Sequence, residues 1–418
     1  MRIAILHYAG PPIIGGVEHT MAVHSRLFIE HGHSVSVIAG RGEKFRDDVD
    51  FVHIPEVDSR HPEVLAIGEA LAAGEVPPTF YDLRDRLVER LSAAMQGHDA
   101  CIAHNVLTLH KNLPLTAALY NLTHRATAEV APTQSPGVIG WCHDFAWVRP
   151  QYQPVLHEGY PWNLLSHPWP GVRYVVVSEA QRTELARLFA VSQDQITVVP
   201  PGVELAEFDQ WTETTRRLVA ELDLLAANPL LLLPARITRR KNIELAIRIT
   251  AALKAAGRQP KLVVTGPPGP HNPKNAAYLD ALRDLRRELD VIDAVIFVYE
   301  VGADGRSPLQ VDDTTVANLF HLADSLLFPS TAEGFGIPVL EAGMARLPIF
   351  CSDIPPFRET ANGAAEFFRL DEPPATIARR IVITLDADRA SRLRRRVLHE
   401  YTWEAIFVQR IEPLLRES

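Results

Sequence analysis

The chain has 418 residues, 47% of them hydrophobic and 22% charged, a mix that excludes a disordered polymer and predicts two or three domains. Forty-two Lys and Arg against 51 Asp and Glu leave a net charge of −9. That is the wrong sign for a general nucleic-acid or anionic-membrane binder, so a phosphate-bearing ligand would need a local seat. Cys101, Cys142 and Cys351 lie too far apart for a disulfide framework or a spaced zinc site, and fit a reducing compartment.

The pass along the chain opens with Ile3–Leu6, an apolar run too short for a signal peptide and placed as a buried strand. No stretch reaches the ~18 apolar residues that a membrane span needs. The expectation is a cytoplasmic, soluble protein, with peripheral membrane contact left open. A Gly/Pro loop from Gly10 to Gly16 leads into helical periodicity over Glu18–Glu30, a stop at Gly32 and a strand at Ser34–Ile38. Further strands are expected at Ala100–Ala103, Val138–Cys142, Tyr174–Val177 and Ile196–Val199, with irregular chain over Gln151–Pro170. The same grammar then repeats. Strand Leu230–Leu233, a polar loop Arg236–Asn242, helix Ile243–Ala256, a stop at Gly257 and strand Lys261–Thr265 follow in order, with later strands at Val295–Val298, Ser325–Phe328 and Pro348–Cys351.

Strand, loop, helix and parallel strand in both halves predict an α/β protein of two doubly wound domains. The division is placed at 1–195, 196–395 and 396–418, with Pro200-Pro201-Gly202 as a stiff link near the first boundary. The Arg-rich end, Arg392 to Arg416, reads as helices broken near Tyr401–Thr402.

The sharpest chemical signal is the segment Glu333 to Glu341, which follows a strand and opens a helix. Gly334 and Gly336 remove side chains where backbone would approach a ligand, and Pro338 suits a first helical turn. Free amides at a helix N-terminus make a diphosphate seat. Glu341 would accept ribose hydroxyls as acids do in dinucleotide folds, and Glu333 would hold a second sugar. The bland alternative is a capped helix with solvated acids.

Arg236 and Lys241 lie in the loop beyond the carboxyl end of strand Leu230–Leu233, where cations neutralise a departing diphosphate; with Arg239 and Arg240 they also read as a solvated basic face. His143 follows strand Val138–Cys142, placed to shield a positive sugar ring or to accept a hydroxyl proton. Asp144 would orient it, cap the next helix or stand on the acceptor side. Gly15 and Gly16 would approach a phosphate or make a plain tight turn. His104 and Asn105 end a strand and read as packing or as acceptor contacts. Absent G-x-G-x-x-G and P-loop patterns weaken dinucleotide and nucleoside-triphosphate readings. No metal motif occurs, and Asp386-Ala387-Asp388 reads as helix surface.

Together these residues resemble retaining glycosyltransferase family 4, of the GT-B architecture, most densely from Tyr174 to Thr360. The family's E-x7-E motif matches Glu333 and Glu341, and its Arg-x4-Lys pair matches Arg236 and Lys241. Val-Val-Val-Ser-Glu around Ser178, Val-Val-Pro-Pro-Gly-Val-Glu around Gly202, Ile-Gly-Gly-Val-Glu near Gly15 and Cys-His-Asp-Phe at His143 resemble its other landmarks.

The resemblance implies two Rossmann-like domains across a cleft, acceptor domain first and donor domain second, with the terminal helix returning to the first. It implies transfer of a hexose from a nucleotide-diphosphate sugar, UDP-glucose or GDP-mannose, to a hydroxyl of a small polar molecule or saccharide, with retention, no cofactor and no metal. Arg236 and Lys241 would hold the diphosphate with amides near Gly16 and Gly336. Glu341 would hold the ribose; Glu333 with Gly334, Phe335 and Gly336 the donor sugar; and His143 would contact the hexose near the reacting centre. The chain departs from the family at Tyr299-Glu300, where an insertion runs to Thr315 beside the expected base pocket, and between Asp58 and Asp99. Other readings are an epimerase or hydrolase of the same fold and a non-catalytic nucleotide-sugar binder.

Overall fold

The structure, a computed structural model, describes residues 1–127, 136–269, 274–302 and 309–416. The chain divides into two compact units, Met1–Gly202 joined by Trp403–Ser418, and Val203–Thr402. Each is built on one parallel sheet with helices on its faces, the α/β class expected.

The first sheet holds β1 (Arg2–His7), β2 (Ser34–Ala39), β3 (Val49–His53), β4 (Ala100–His104), β5 (Gly137–Cys142), β6 (Arg173–Val176) and β7 (Ile196–Val198). Their order across the sheet is β3-β2-β1-β4-β5-β6-β7. Alternation of side chains along a strand sends β1 to two cores. Ile3 and Ile5 pack with Met21, Leu27 and Phe28 of helix Gly16–Glu30, whereas Ala4 and Leu6 face the cluster holding Leu83 and Leu87.

The second sheet holds β8 (Leu230–Leu233), β9 (Lys261–Val264), β10 (Val295–Phe297), β11 (Ser325–Phe328), β12 (Ile349–Ser352) and β13 (Glu366–Phe368). Its order is β10-β9-β8-β11-β12-β13. All four residues of β8 and of β11 are buried, as central strands covered on both faces require. Each sheet reverses its winding once, between β1 and β4 and between β8 and β11. Crevices for ligands open at such points, beyond the carboxyl ends of the strands.

Several expectations are corrected. Strand β7 pairs with β6, so the first unit runs to Gly202 rather than ending at 195. The return to the first unit starts at Trp403, not 396. Helix Arg389–Glu400 stays with the second unit, where Arg394 donates to the carbonyls of His321 and Leu322. Trp403, Ile406, Phe407 and Ile411 complete the core beneath β1. Edge strands β3 and β13 were not expected, being short and only partly buried. The stretch between Asp58 and Asp99 forms two helices, Pro62–Ala72 and Pro78–Met95. Asp386 pairs with Arg258 and Arg395, and Asp388 caps helix Arg389–Glu400 through the Ser391 amide, so this acid pair is structural.

Candidate active site

In the second unit, β8 and β11 are hydrogen-bonded neighbours, so the loops leaving them lie side by side. That brings together residues 92 positions apart: Lys241 Nζ donates to Glu333 Oε1 at 2.5 Å. Arg240 Nη1 reaches Glu333 Oε2 at 2.6 Å and Ser330 Oγ donates to Oε1 at 2.8 Å. The loops are stitched by the Thr331 amide on the Arg240 carbonyl at 2.8 Å. The Lys241 ammonium also sits 4.5 Å from the centroid of the Phe328 ring at the end of β11.

Both charges are largely out of water, with side-chain exposures of 9% for Lys241 and 7% for Glu333. The partners respond differently. Burial draws the Lys241 ammonium below its ordinary range, and the Glu333 carboxylate restores only part of that. Burial would push the Glu333 carboxyl up, but hydrogen bonds from Lys241, Ser330 and Arg240 outweigh it and the net direction is down. The carboxylate has three donors; the ammonium has one acceptor and a ring face. Glu333 is therefore the firmly held anion of the pair.

Arg236 stands apart. It is exposed and makes no hydrogen bond or ion pair among the described residues. Its backbone is braced from β9, where a Cβ on Gly266 would lie 2.6 Å from the Ala235 carbonyl oxygen and 2.7 Å from Arg236 Cα. Only glycine admits so close an approach. The amides of Gly334, Phe335 and Gly336 donate to no acceptor among the described residues, and they precede helix Ile337–Met344. Gly336 has φ 96°, and a Cβ there would come within 2.7 Å of the Phe357 ring. An exposed guanidinium on the loop after β8 and unpaired amides on the loop after β11 are groups that can take an anion, and these are the two loops that Lys241 and Glu333 join.

Glu341 lies on the helix and is not joined to Glu333, Arg236 or Lys241 by a hydrogen bond or ion pair among the described residues. It lines a hollow of about 370 Å³ with Asp313, Val316, Phe320 and Met344. Burial, then the Asp313 charge, raises its carboxyl pKa. Tyr299 packs against the core of the second unit, while residues 303–308 of the insertion beside it lie outside the described residues.

In the first unit His143 follows β5 and its ring Nε2 lies 3.0 Å from His104 Nδ1. His104 is fully buried, Asn105 is 7% exposed, and both touch His143. Asn105, at φ 61°, turns so that its Oδ1 accepts the His143 amide at 2.7 Å. The Asp144 carboxylate makes no hydrogen bond to the histidine ring among the described residues. Its Oδ1 accepts from the Phe145 amide at 3.0 Å and from Arg149 Nε at 2.6 Å.

A Cβ on Gly15 would meet the Glu18 carboxylate, which folds back over this helix start, while Gly16 has open space beside it. Sequence reasoning passed over Gln181, Ser330, Gly266 and Arg240's grip on Glu333. Gly266 alone left a legible sign, a glycine immediately beyond a strand.

No group of three or more His, Cys, Asp or Glu among the described residues is arranged to hold a metal. All three cysteines are buried thiols, with Cys101 and Cys142 pushed up to about 12 by burial. No helix among the described residues is long and apolar enough to cross a membrane.

Residues 218–396, most of the second unit, match the family model described as glycosyl transferases group 1. The chain is 24% identical to the MMP alpha-(1->4)-mannosyltransferase of Mycolicibacterium hassiacum, over 98% of this chain and 97% of that one. It is 23% identical to the mannosylglucosylglycerate synthase of Thermotoga maritima, over 85% of this chain and 83% of the other. The D-inositol 3-phosphate glycosyltransferase of Kineococcus radiotolerans is 32% identical, but across only 44% of this chain and 40% of its own. Among solved structures, Anabaena HepE in complex with UDP and glucose aligns over 100% of both chains at 15% identity with a TM-score of 0.36, too low to carry an argument. Glycosyl transfer is the activity class that the family model and these relatives support.

Proposed function

We propose that this chain is a retaining hexosyltransferase that moves a sugar from a nucleotide diphosphate to a hydroxyl acceptor. The observation that carries the reading is the pairing of Lys241 with Glu333 at the β8/β11 reversal, with an unpaired Arg236 on the loop of Lys241 and the unpaired amides of residues 334–336 on the loop of Glu333. The cations and amides suit a diphosphate whose negative charge grows as the sugar bond breaks. Stabilising developing charge in a partly dehydrated seat is worth more than the same contacts in water. Arg236 and Lys241 take the phosphates in this reading, Glu341 the ribose, and Glu333 with the Gly334–Phe335–Gly336 backbone the hydroxyls of the donor sugar. His143 serves the hexose, and the first unit receives the acceptor.

No protein nucleophile is assigned. The acceptor hydroxyl forms its bond to the anomeric carbon on the face the diphosphate leaves, and its proton passes to the departing phosphate oxygen. Neither metal nor cofactor is required in this reading. Because a relative that spans nearly the whole chain is named a mannosyltransferase, mannose is the first sugar to test, with GDP-mannose and UDP-glucose as donors and small polar molecules or saccharides as acceptors.

Purified protein incubated with a panel of labelled sugar nucleotides, with and without a chelator, is expected to transfer or slowly hydrolyse one of them in both conditions, and product NMR to show the donor's anomeric configuration kept. Tight binding with no turnover on any donor would replace the enzyme by a nucleotide-sugar binder.

A further inference from the structure

His143 is held from three sides, twice through its backbone and once through its ring. Its amide donates to Asn105 Oδ1 at 2.7 Å, its carbonyl accepts from Gln181 Nε2 at 2.7 Å, and its Nε2 faces His104 Nδ1 at 3.0 Å. The two imidazoles stack with centroids 5.3 Å apart and planes at 23°. Such over-determination is how a reacting group is kept in one orientation. The remaining nitrogen, His143 Nδ1, has no hydrogen bond among the described residues and is not one of the buried unpartnered atoms. It is the atom left for a ligand.

One proton lies between the two rings, and its owner decides what Nδ1 can do. His104 Nε2 is buried and has no partner. Around it stand Trp141 and His24, ring centroids 5.7 and 5.8 Å away, and neither nitrogen of His24 finds a partner. Were His143 the donor, a neutral His104 would carry its own proton on Nε2, leaving an N–H orphaned in the interior. Were His104 the donor, Nε2 would hold only a lone pair. Orphaned buried N–H groups are the rarer and costlier of the two. A charged His104 would lose its hydration without any carboxylate in exchange, and burial drives its pKa well below the ordinary value. His7 reinforces the arrangement from β1, because its Nδ1 donates to the His104 carbonyl at 2.8 Å and fixes that residue's backbone.

We infer that His104 is a positioning residue that donates its Nδ1 proton to His143 Nε2, so that His143 offers substrate a neutral Nδ1–H, a hydrogen-bond donor and not a base. This rests on the reading that His143 meets a sugar. It removes the proton-acceptor role that the sequence left open for His143, and it fits a mechanism in which the leaving phosphate takes the acceptor's proton. Its ligand is a hydroxyl oxygen of the hexose, bound through a lone pair.

The test is imidazole nitrogen NMR of the full chain, selectively labelled at histidine, with His143 assigned by its loss in His143→Asn. The expected signature without any ligand is a protonated Nδ1 and a bare Nε2. His104→Asn, whose amide nitrogen stands where Nδ1 stood, should keep that signature and near-normal turnover. His104→Phe, which retains a ring but no donor, should lose the signature and raise KM for the donor sugar nucleotide or lower kcat by about 10-fold. A proton on Nε2 of His143 in the unmodified chain overturns the inference, as does a signature unchanged in His104→Phe. If the signature is present but no sugar nucleotide is turned over, the assignment of the proton stands and the proposed activity falls.

Discussion

Lys241 and Glu333 illustrate how one contact sets both stability and chemistry. Each would be costly to bury alone, and breaking a buried pair by removing one partner commonly costs about 3 to 5 kcal/mol. Lys241→Ala should therefore lower the melting temperature. If the lysine also stabilises a departing diphosphate, it should cut kcat by about 100-fold or more. Arg236→Ala makes the useful comparison, because Arg236 has no partner among the described residues and its loss should spare stability while weakening donor binding. Steady-state kinetics beside thermal melts of the two variants separate the roles, and a Lys241→Ala protein with unaltered kcat would exclude the leaving-group assignment.

Histidines of the first unit give a pH prediction at the same scale. Burial, then the His143 charge, lowers His24 to about 3, and burial, then the His7 charge, lowers His143 to about 4, both from 6.5. The fold thus prefers them neutral. As pH falls below about 6.5 the unfolded chain takes up protons that the folded chain refuses, so stability drops until the folded values are reached. The first unit should melt at a clearly lower temperature at pH 5 than at pH 7.5. His24→Leu should flatten that dependence, since Leu fills the space between Trp141 and Phe28 without a titrating group. An unchanged slope in the variant would contradict the desolvation argument.

At the scale of elements, the loop from Ser330 to Gly336 and its helix separate structural glycine from functional glycine. Gly336 needs its left-handed backbone and has the Phe357 ring where a Cβ would go, so Gly336→Ala should destabilise the second unit by about 1 to 3 kcal/mol. Gly334 has nothing within 4 Å of its would-be Cβ and no positive φ. Gly334→Ala should leave denaturant midpoints unchanged and weaken nucleoside-diphosphate binding by crowding the amides, as calorimetric titration would measure. Equal stability losses in both variants would mean that this loop is merely a turn.

The motif around Glu333 was legible because glycine, proline and acid stand in a spacing that only a strand-to-helix junction explains. Two of the groups that hold Glu333, Arg240 and Ser330, were not. Arg240 looked like one member of a basic run, and nothing in the run tells that it reaches across to the loop after β11. Likewise Asn105 and His104 carry no local sign that they serve His143, since their contact arises from the pairing of β4 with β5.

At the scale of the molecule, the last segment closes the first unit. Trp403, Ile406, Phe407, Ile411, Leu414 and Leu415 are all buried with Ile3, Ile5 and Phe28, and Trp403 lies where a Cβ on Gly202 would stand. A chain ending at Thr402 would expose this apolar face and lose several side chains worth about 1.5 to 3 kcal/mol each. Limited proteolysis should find Met1–Gly202 degraded rapidly in that shortened chain while Val203–Thr402 persists. Equal survival of both units would show that the segment is dispensable.

Local pattern by itself determined the elements that are central and buried: β1, β4, β5, β8, β11 and β12 are short apolar runs bounded by glycine, proline or polar loops. It also determined the repeated strand–loop–helix grammar. Tertiary structure alone decided which of them meet. Edge strands β3 and β13 became strands because a neighbour offered its free amides and carbonyls, not because their own residues demand it. Lys241 met Glu333, and His104 met His143, because strand order placed distant loops side by side. Sequence spacing measures distance along the chain, and a parallel sheet makes neighbours of residues that this distance keeps apart.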